Sequence, residues 1–185
     1  MRVITGTARG RKLKALPGLD TRPTADQVKE SLFNILQFDI EGRRVLDLFA
    51  GTGQLGIEAL SRGAAFCDFV DASPAAVKLV RENLQATGLS GPARVTQRDF
   101  LAFLHGARGE KYDLVFLDPP YARTMLEQAL ESIAAIDIVS ECGIIVCESP
   151  AGKILPALPP PYVKGREYRY GKAKLTLYRR SEEQA

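Results

Sequence analysis

The sequence predicts an α/β fold: a mostly parallel central sheet with helices on both faces, a C-terminal antiparallel hairpin, and a small N-terminal β-hairpin or basic arm. Three observations carry this. From residue 43 onward, short apolar runs alternate with segments of helical periodicity. The runs RVLDLF, YDLVFL and GIIVCE are almost continuously apolar, as strands covered on both faces must be. The chain of 185 residues is 45% hydrophobic and 25% charged, which fits one globular domain of ordinary size.

Taken in order, residues 2–16 alternate weakly, with Gly6 and Gly10 as turn candidates, and read as either a short hairpin or an irregular basic arm. PGLDTRP is a turn-rich link. Thr24, with Gln27 completing a capping box, opens a helix whose apolar positions are Val28, Leu32, Phe33, Ile35 and Leu36. Residues 44–49 form a strand, 54–62 a short helix ended by Gly63, and 66–71 a second strand. Pro74 opens a helix closed by Gly88. A strand over 93–97, a helical turn over 100–104, a strand over 112–117 and a helix over 125–136 follow. The strand 143–148 and the paired runs 162–170 and 174–180 complete the chain. The expected division is a basic hairpin or arm over residues 1–20 and the α/β domain over 21–185.

Composition excludes several classes. No apolar run approaches the roughly 18 residues of a membrane span. The N-terminus MRVITGTARGRK lacks the apolar core of a signal peptide. Cys67, Cys142 and Cys147 form no CxxC pair, and His105 is the only histidine, so no zinc or other metal site is expected. The cysteines read as reduced, buried thiols of a cytoplasmic protein, and His105 as a loop or helix-end residue. The net charge of +3 hides an asymmetry: residues 1–44 carry nine basic and five acidic side chains, residues 45–150 eight and fourteen, and residues 151–185 eight and three. An acidic middle between basic ends fits a reaction core with a polyanion-binding margin, or a solvated surface of uneven charge.

Two motifs carry chemistry. Gly51 to Gly56 spells GxGxxG between a strand and a helix, a turn in which glycines let backbone amides approach a ligand. Asp47, four residues earlier, would repel a pyrophosphate but attract an ammonium. Asp71 ends the next strand, where ribose recognition requires a carboxylate. The second motif is Asp118-Pro119-Pro120-Tyr121, directly after YDLVFL. Two prolines cannot continue a central strand, so they fix the turn at the sheet's carboxyl edge. Asp118 and the Pro119 carbonyl are two acceptors for the two hydrogens of an exocyclic amine, and Tyr121 offers a ring on which its base can stack.

DLFAGTG followed by DPPY resembles the class I S-adenosylmethionine-dependent methyltransferases that modify amino groups. Together, RGRKL (9–13), TRPTADQVKESLFNIL (21–36), VLDLFAGTGQLGIEALSRGA (45–64) and FLDPPY (116–121) are similar to the bacterial 16S ribosomal RNA guanine-N2 methyltransferases of the RsmD type. The resemblance spans nearly the whole chain and implies a Rossmann-like class I methyltransferase fold. It implies that Asp47 faces the methionine ammonium of the cofactor, that Gly51 and Gly53 give clearance, and that Asp71 takes the ribose hydroxyls. Phe49 and Ala72 stand beside these residues in the same turns. Asp99 pairs with the adenine amine or caps the following helix, and Phe100 packs near the adenine. Asp118, Pro119, Pro120 and Tyr121 form the catalytic turn, S-adenosylhomocysteine is the product, and no metal is required. Arg9, Arg11, Lys12 and Lys14 would clamp RNA backbone, with Lys172 and Lys174 as weaker candidates. Arg22 would reach a phosphate or the cofactor carboxylate, or stay an exposed loop arginine. The implied partner is 16S RNA within an assembling small-subunit particle, bound by a monomer. The competing readings are a DNA adenine-N6 or protein-glutamine methyltransferase, an NAD-dependent oxidoreductase using GTGQLG, and a non-catalytic RNA-binding protein.

Overall fold

The computed structural model describes residues 1–15, 23–120 and 124–181. In chain order the elements are α1 (Pro23–Ile35), β1 (Arg44–Asp47), α2 (Gln54–Ser61), β2 (Phe66–Asp71), α3 (Pro74–Thr87) and β3 (Ala93–Gln97). They continue with α4 (Phe100–Gly106), β4 (Tyr112–Leu117), α5 (Met125–Ile136), β5 (Val139–Pro150), β6 (Tyr162–Tyr170) and β7 (Ala173–Arg180).

The strands form one seven-stranded sheet in the order β3-β2-β1-β4-β5-β7-β6. β1 to β5 run parallel, and β7 pairs antiparallel with both β5 and β6. The chain steps outward from β1 to β3 and then crosses back to β4 on β1's other side. This reversal opens a crevice beyond the carboxyl ends of β1 and β4, where ligands of such sheets bind.

Strand alternation divides the interior into two cores. Val45, Leu114, Phe116, Ile144 and Val146 point to the face covered by α1, α2, α3 and the N-terminal segment. Leu46, Val115, Leu117, Ile145 and Cys147 point to the face covered by α4 and α5. On the first face the Phe33 ring lies 5.8 Å from that of Phe116, so α1 is seated on the strand that leads to the DPPY turn.

Local chemistry sets the boundaries. Ser73 caps α3 by accepting from the Ala76 N–H, with Pro74 in the first turn and Gly88 closing the helix at φ 75°. β1 stops at Asp47 rather than at residue 49, as the chain turns into the glycine motif. β5 extends from Val139 to Pro150, well past residues 143–148, because Val139 pairs with Tyr112 on β4 at one end and β7 pairs along it through Pro150 at the other. α1 starts at Pro23, which puts Thr24 inside the first turn rather than at the cap.

The N-terminal residues are built into the domain. Arg2 and Lys12 make an isolated antiparallel bridge, and Val3, Ala8 and Leu13 are buried. The buried Glu58 carboxylate on α2 accepts from the Ile4 and Thr5 N–H groups at 2.8 and 3.0 Å. The buried Lys29 ammonium donates to the Arg2 carbonyl at 2.7 Å and lies 4.0 Å from Glu58. Gly6 sits at φ 87° against the Ser61 backbone, where a Cβ would collide.

Two expectations of burial fail. Cys67 and Cys147 are buried, but Cys142 is exposed at φ 59°, in the outer part of β5 before pairing with β7 begins. Lys174 is 3% exposed, its ammonium donating to the Lys153 carbonyl and to Glu167, so it offers no charge to a polyanion. His105 stands in the last turn of α4. Among the described residues no helix is long and apolar enough to cross a membrane.

Candidate active site

A cavity of about 750 Å³ opens at the carboxyl edge, lined by the ends of β1, β2 and β4 and by the start of α4. Asp47, Phe49, Gly51, Asp71, Ala72, Asp99, Phe100, Asp118, Pro119 and Pro120 all line it, so residues far apart in sequence meet in one space. Gly53 does not line it. Its φ of 78° lets it start α2, while its N–H closes the turn on the Ala50 carbonyl at 2.7 Å. Gly51, at φ 55°, faces open space, and a side chain there would be strained and would project over the turn. Gly56 serves packing: a Cβ would lie 2.3 Å from the Phe69 ring.

Asp47 is 2% exposed and accepts from the Gly56 N–H at 3.1 Å. Burial pushes its carboxyl up to about 7, against the Gly56 hydrogen bond and with a small addition from Asp71. Asp118, at the end of β4, is likewise held well above the carboxylate range by burial first, then by the charges of Glu148 and Asp47. The cavity therefore contains acceptors that a cation or a set of N–H donors would stabilise.

Asp71 has a structural duty as well. Its two oxygens accept from the Gly51 and Ser73 N–H groups at 2.9 and 2.8 Å, tying the glycine turn to the end of β2. A carboxylate has about four acceptor positions, so two remain for a ligand. Asp99 is the cap of α4: one oxygen accepts from the Leu101 and Ala102 N–H groups at 3.0 and 3.1 Å. Its other oxygen is unused by these bonds, which makes capping and ligand contact compatible. The Phe49 and Phe100 rings, 5.0 Å apart and tilted by 48°, form an aromatic wall between these acids.

Tyr121 and Arg22 lie outside the described residues. Arg9, Arg11 and Lys12 are exposed on the N-terminal segment and are not among the residues that line the cavity. Lys14 is exposed too, but its ammonium pairs with Glu82 at 2.8 Å. Sequence reasoning missed Met1, Asp26, Arg98 and Met125 in the cavity wall. It also missed Asn83, which is fully buried on α3. Its side chain accepts from the Lys14 N–H at 2.8 Å and donates to the carbonyls of Lys14 and Thr52 at 3.1 and 2.9 Å. A buried amide with three backbone partners joins the N-terminal segment to the glycine turn; the only hint in sequence is a polar residue on the apolar face of a helix.

A switch-point cavity with a glycine turn after β1, an acid after β2 and a proline-locked acid after β4 defines a class I methyltransferase fold. Comparison with known proteins narrows this. Residues 1–179 match the family model described as "Conserved hypothetical protein 95". The chain is 42% identical over 182 residues to "Putative rRNA methyltransferase YlbH" of Bacillus subtilis, covering 97% of this chain and 99% of that protein. It is 37% identical over 180 residues to "Ribosomal RNA small subunit methyltransferase D" of Escherichia coli, covering 97% and 90%. The solved structure of "Putative methyltransferase yhhF" from Escherichia coli superposes with a TM-score of 0.87 at 35% identity, covering 98% of both chains. The chain belongs to this family of methyltransferases.

Proposed function

We propose that this protein transfers a methyl group from S-adenosylmethionine to the exocyclic N2 amine of a guanine in 16S ribosomal RNA. The observation that carries the reading is the meeting of the Asp118-Pro119-Pro120 turn with Asp47 and Asp71 around one cavity, in a family whose relatives are named for small-subunit ribosomal RNA. The donor set fits the cofactor. Asp47, buried and held by a single backbone hydrogen bond from Gly56 among the described residues, suits the methionine ammonium; Asp71 suits the ribose hydroxyls. The second Asp99 oxygen suits the adenine amine, with Phe100 and Phe49 against the ring.

When bound, the sulfonium supplies a methyl group that is both electrophilic and attached to a good leaving group. The protein's task is to aim the nucleophile. A guanine N2 amine is weak because its lone pair is delocalised into the ring. Accepting its two N–H bonds at Asp118 and the Pro119 carbonyl holds the nitrogen in line and favours positive charge on it. Asp118 or solvent then takes the proton. The base must leave its stack to enter the cavity, where an aromatic ring such as that of Tyr121 would stack on it. Residues 1–20 act as the RNA-binding margin of the domain over 21–185, through Arg9, Arg11 and Lys12 on phosphates and to a lesser degree Lys14, with Arg22 and Lys172 of the domain adding lesser contacts. The protein works in the cytoplasm as a monomer on an assembling particle.

Mass spectrometry of 16S nucleosides from a strain lacking the gene tests this. Loss of one N2-methylguanosine is expected, and an unchanged nucleoside profile would overturn it.

A further inference from the structure

Glu148 has no part in the scheme above, yet it stands beside its central residue. Leu117 on β4 is in register with Cys147 on β5, and both face the α4–α5 core. Asp118 follows Leu117 directly past the end of β4 and Glu148 follows Cys147 within β5, so the two acids stand one residue beyond a paired position at the carboxyl edge. Glu148 also lines a small recess with Pro119, Pro120 and Lys153, so it borders the same proline turn as Asp118. Two carboxylates so placed repel each other, and the Glu148 charge contributes to holding the Asp118 carboxyl high. A ligand edge that offers N–H donors to both relieves that repulsion.

Building on the N2-methylation reading, we propose that Glu148 is a specificity-determining residue that accepts the guanine N1–H while Asp118 and the Pro119 carbonyl accept the N2 hydrogens. The Watson–Crick edge of guanine presents N1–H and the N2 amine side by side, a row of donors that matches a row of acceptors across β4 and β5. Adenine presents a lone pair at N1, which would face a carboxylate. Glu148 therefore favours guanine independently of the amine chemistry, which the DPP turn could perform on either base. Leaving a donor or acceptor unmatched in such a site lowers transfer by about ten- to a hundredfold.

The test uses 2-aminopurine, which keeps the C2 amine but has a lone pair at N1. Full-length 16S RNA is assembled by ligation with guanine or 2-aminopurine at the position the wild-type protein methylates. Tritiated methyl transfer is measured for wild type, Glu148→Gln and Glu148→Asp. Wild type should prefer guanine by about tenfold or more. Glu148→Gln should narrow that preference, because an amide can donate to the N1 lone pair, and Glu148→Asp should retain part of it. S-adenosylhomocysteine affinity, measured by calorimetry, should be unchanged in both variants, which separates a specificity effect from misfolding. A guanine preference that Glu148→Gln leaves intact would overturn the assignment, as would loss of cofactor affinity in step with activity. No transfer to guanine by the wild type would instead overturn the N2-methylation reading itself.

Discussion

The buried Asp47 carboxyl makes a sharp prediction about proton linkage. In the free protein it titrates near 7, far above an unperturbed carboxyl, because burial outweighs its one hydrogen bond from Gly56. A bound ammonium would favour the ionised form and draw the proton off. Ligand affinity then falls by the factor 1 + 10^(pKa − pH) as the free carboxyl protonates. For a pKa of about 7 that factor is about 11 at pH 6 and about 1.3 at pH 7.5, so affinity should rise about eightfold across this range. At pH 7 about half a proton should leave per ligand bound. S-adenosylhomocysteine is the suitable probe, since it keeps the ammonium and lacks the sulfonium; staying below about pH 8 keeps the ligand's own amine protonated. Calorimetry in two buffers of different ionisation enthalpy reads the proton directly, and Asp47→Asn should flatten the pH profile and weaken binding at pH 7.5. The same residue sets a stability trend with a defined sign. Its folded pKa is raised, so the unfolded chain gives up the proton first, and the free protein loses stability as pH rises from about 4 to about 7. Asp47→Asn should therefore melt higher than wild type at pH 7.5 without ligand. Affinity that is flat from pH 6 to 7.5, with heats independent of buffer, would refute the reasoning.

Three further outcomes are expected. Asp118→Asn should abolish methyl transfer while changing S-adenosylhomocysteine affinity little; equal losses of both in calorimetry and tritium transfer would remove Asp118 from the amine. Asp71→Ala should weaken cofactor binding by about ten- to a hundredfold through lost charged hydrogen bonds. It should also raise amide exchange at Gly51 and Ser73, whose N–H groups it holds; an unchanged dissociation constant would leave it only the turn. Neutralising Arg9, Arg11 and Lys12 should leave cofactor binding intact and flatten the salt dependence of RNA binding by about 2, taking about 0.7 per single-strand phosphate contact. A salt slope equal to that of wild type would make these residues ordinary solvated surface.

The sheet was legible because each strand is an apolar run with its chemistry at the carboxyl end. Asp47, Asp71 and Asp118 stand one step past the apolar residues of β1, β2 and β4, and a parallel sheet brings such ends together whatever the sequence distance between them. The N-terminal segment was not legible in the same way. Its five basic side chains by residue 14 drew attention to charge, while its placement rests on Val3, Ala8 and Leu13 in the core and on backbone groups held by Glu58, Ser61 and Asn83. Those partners are single polar residues on helices, and periodicity reports only that they interrupt an apolar face. Lys174 fails for the reverse reason: a lysine in a basic hairpin looks exposed until the Lys153 carbonyl and Glu167 close around it. Both cases follow from one physical asymmetry. Apolar burial is set by pattern, which a sequence displays, whereas a buried polar group is set by its partner, which only the folded chain supplies. The consequence for this protein is that its basic N-terminal segment is fixed in space relative to the glycine turn. Asn83 bonds the backbone of both Lys14 and Thr52, so a polyanion seated on the exposed arginines would be held at a defined distance from the cavity rather than on a free arm.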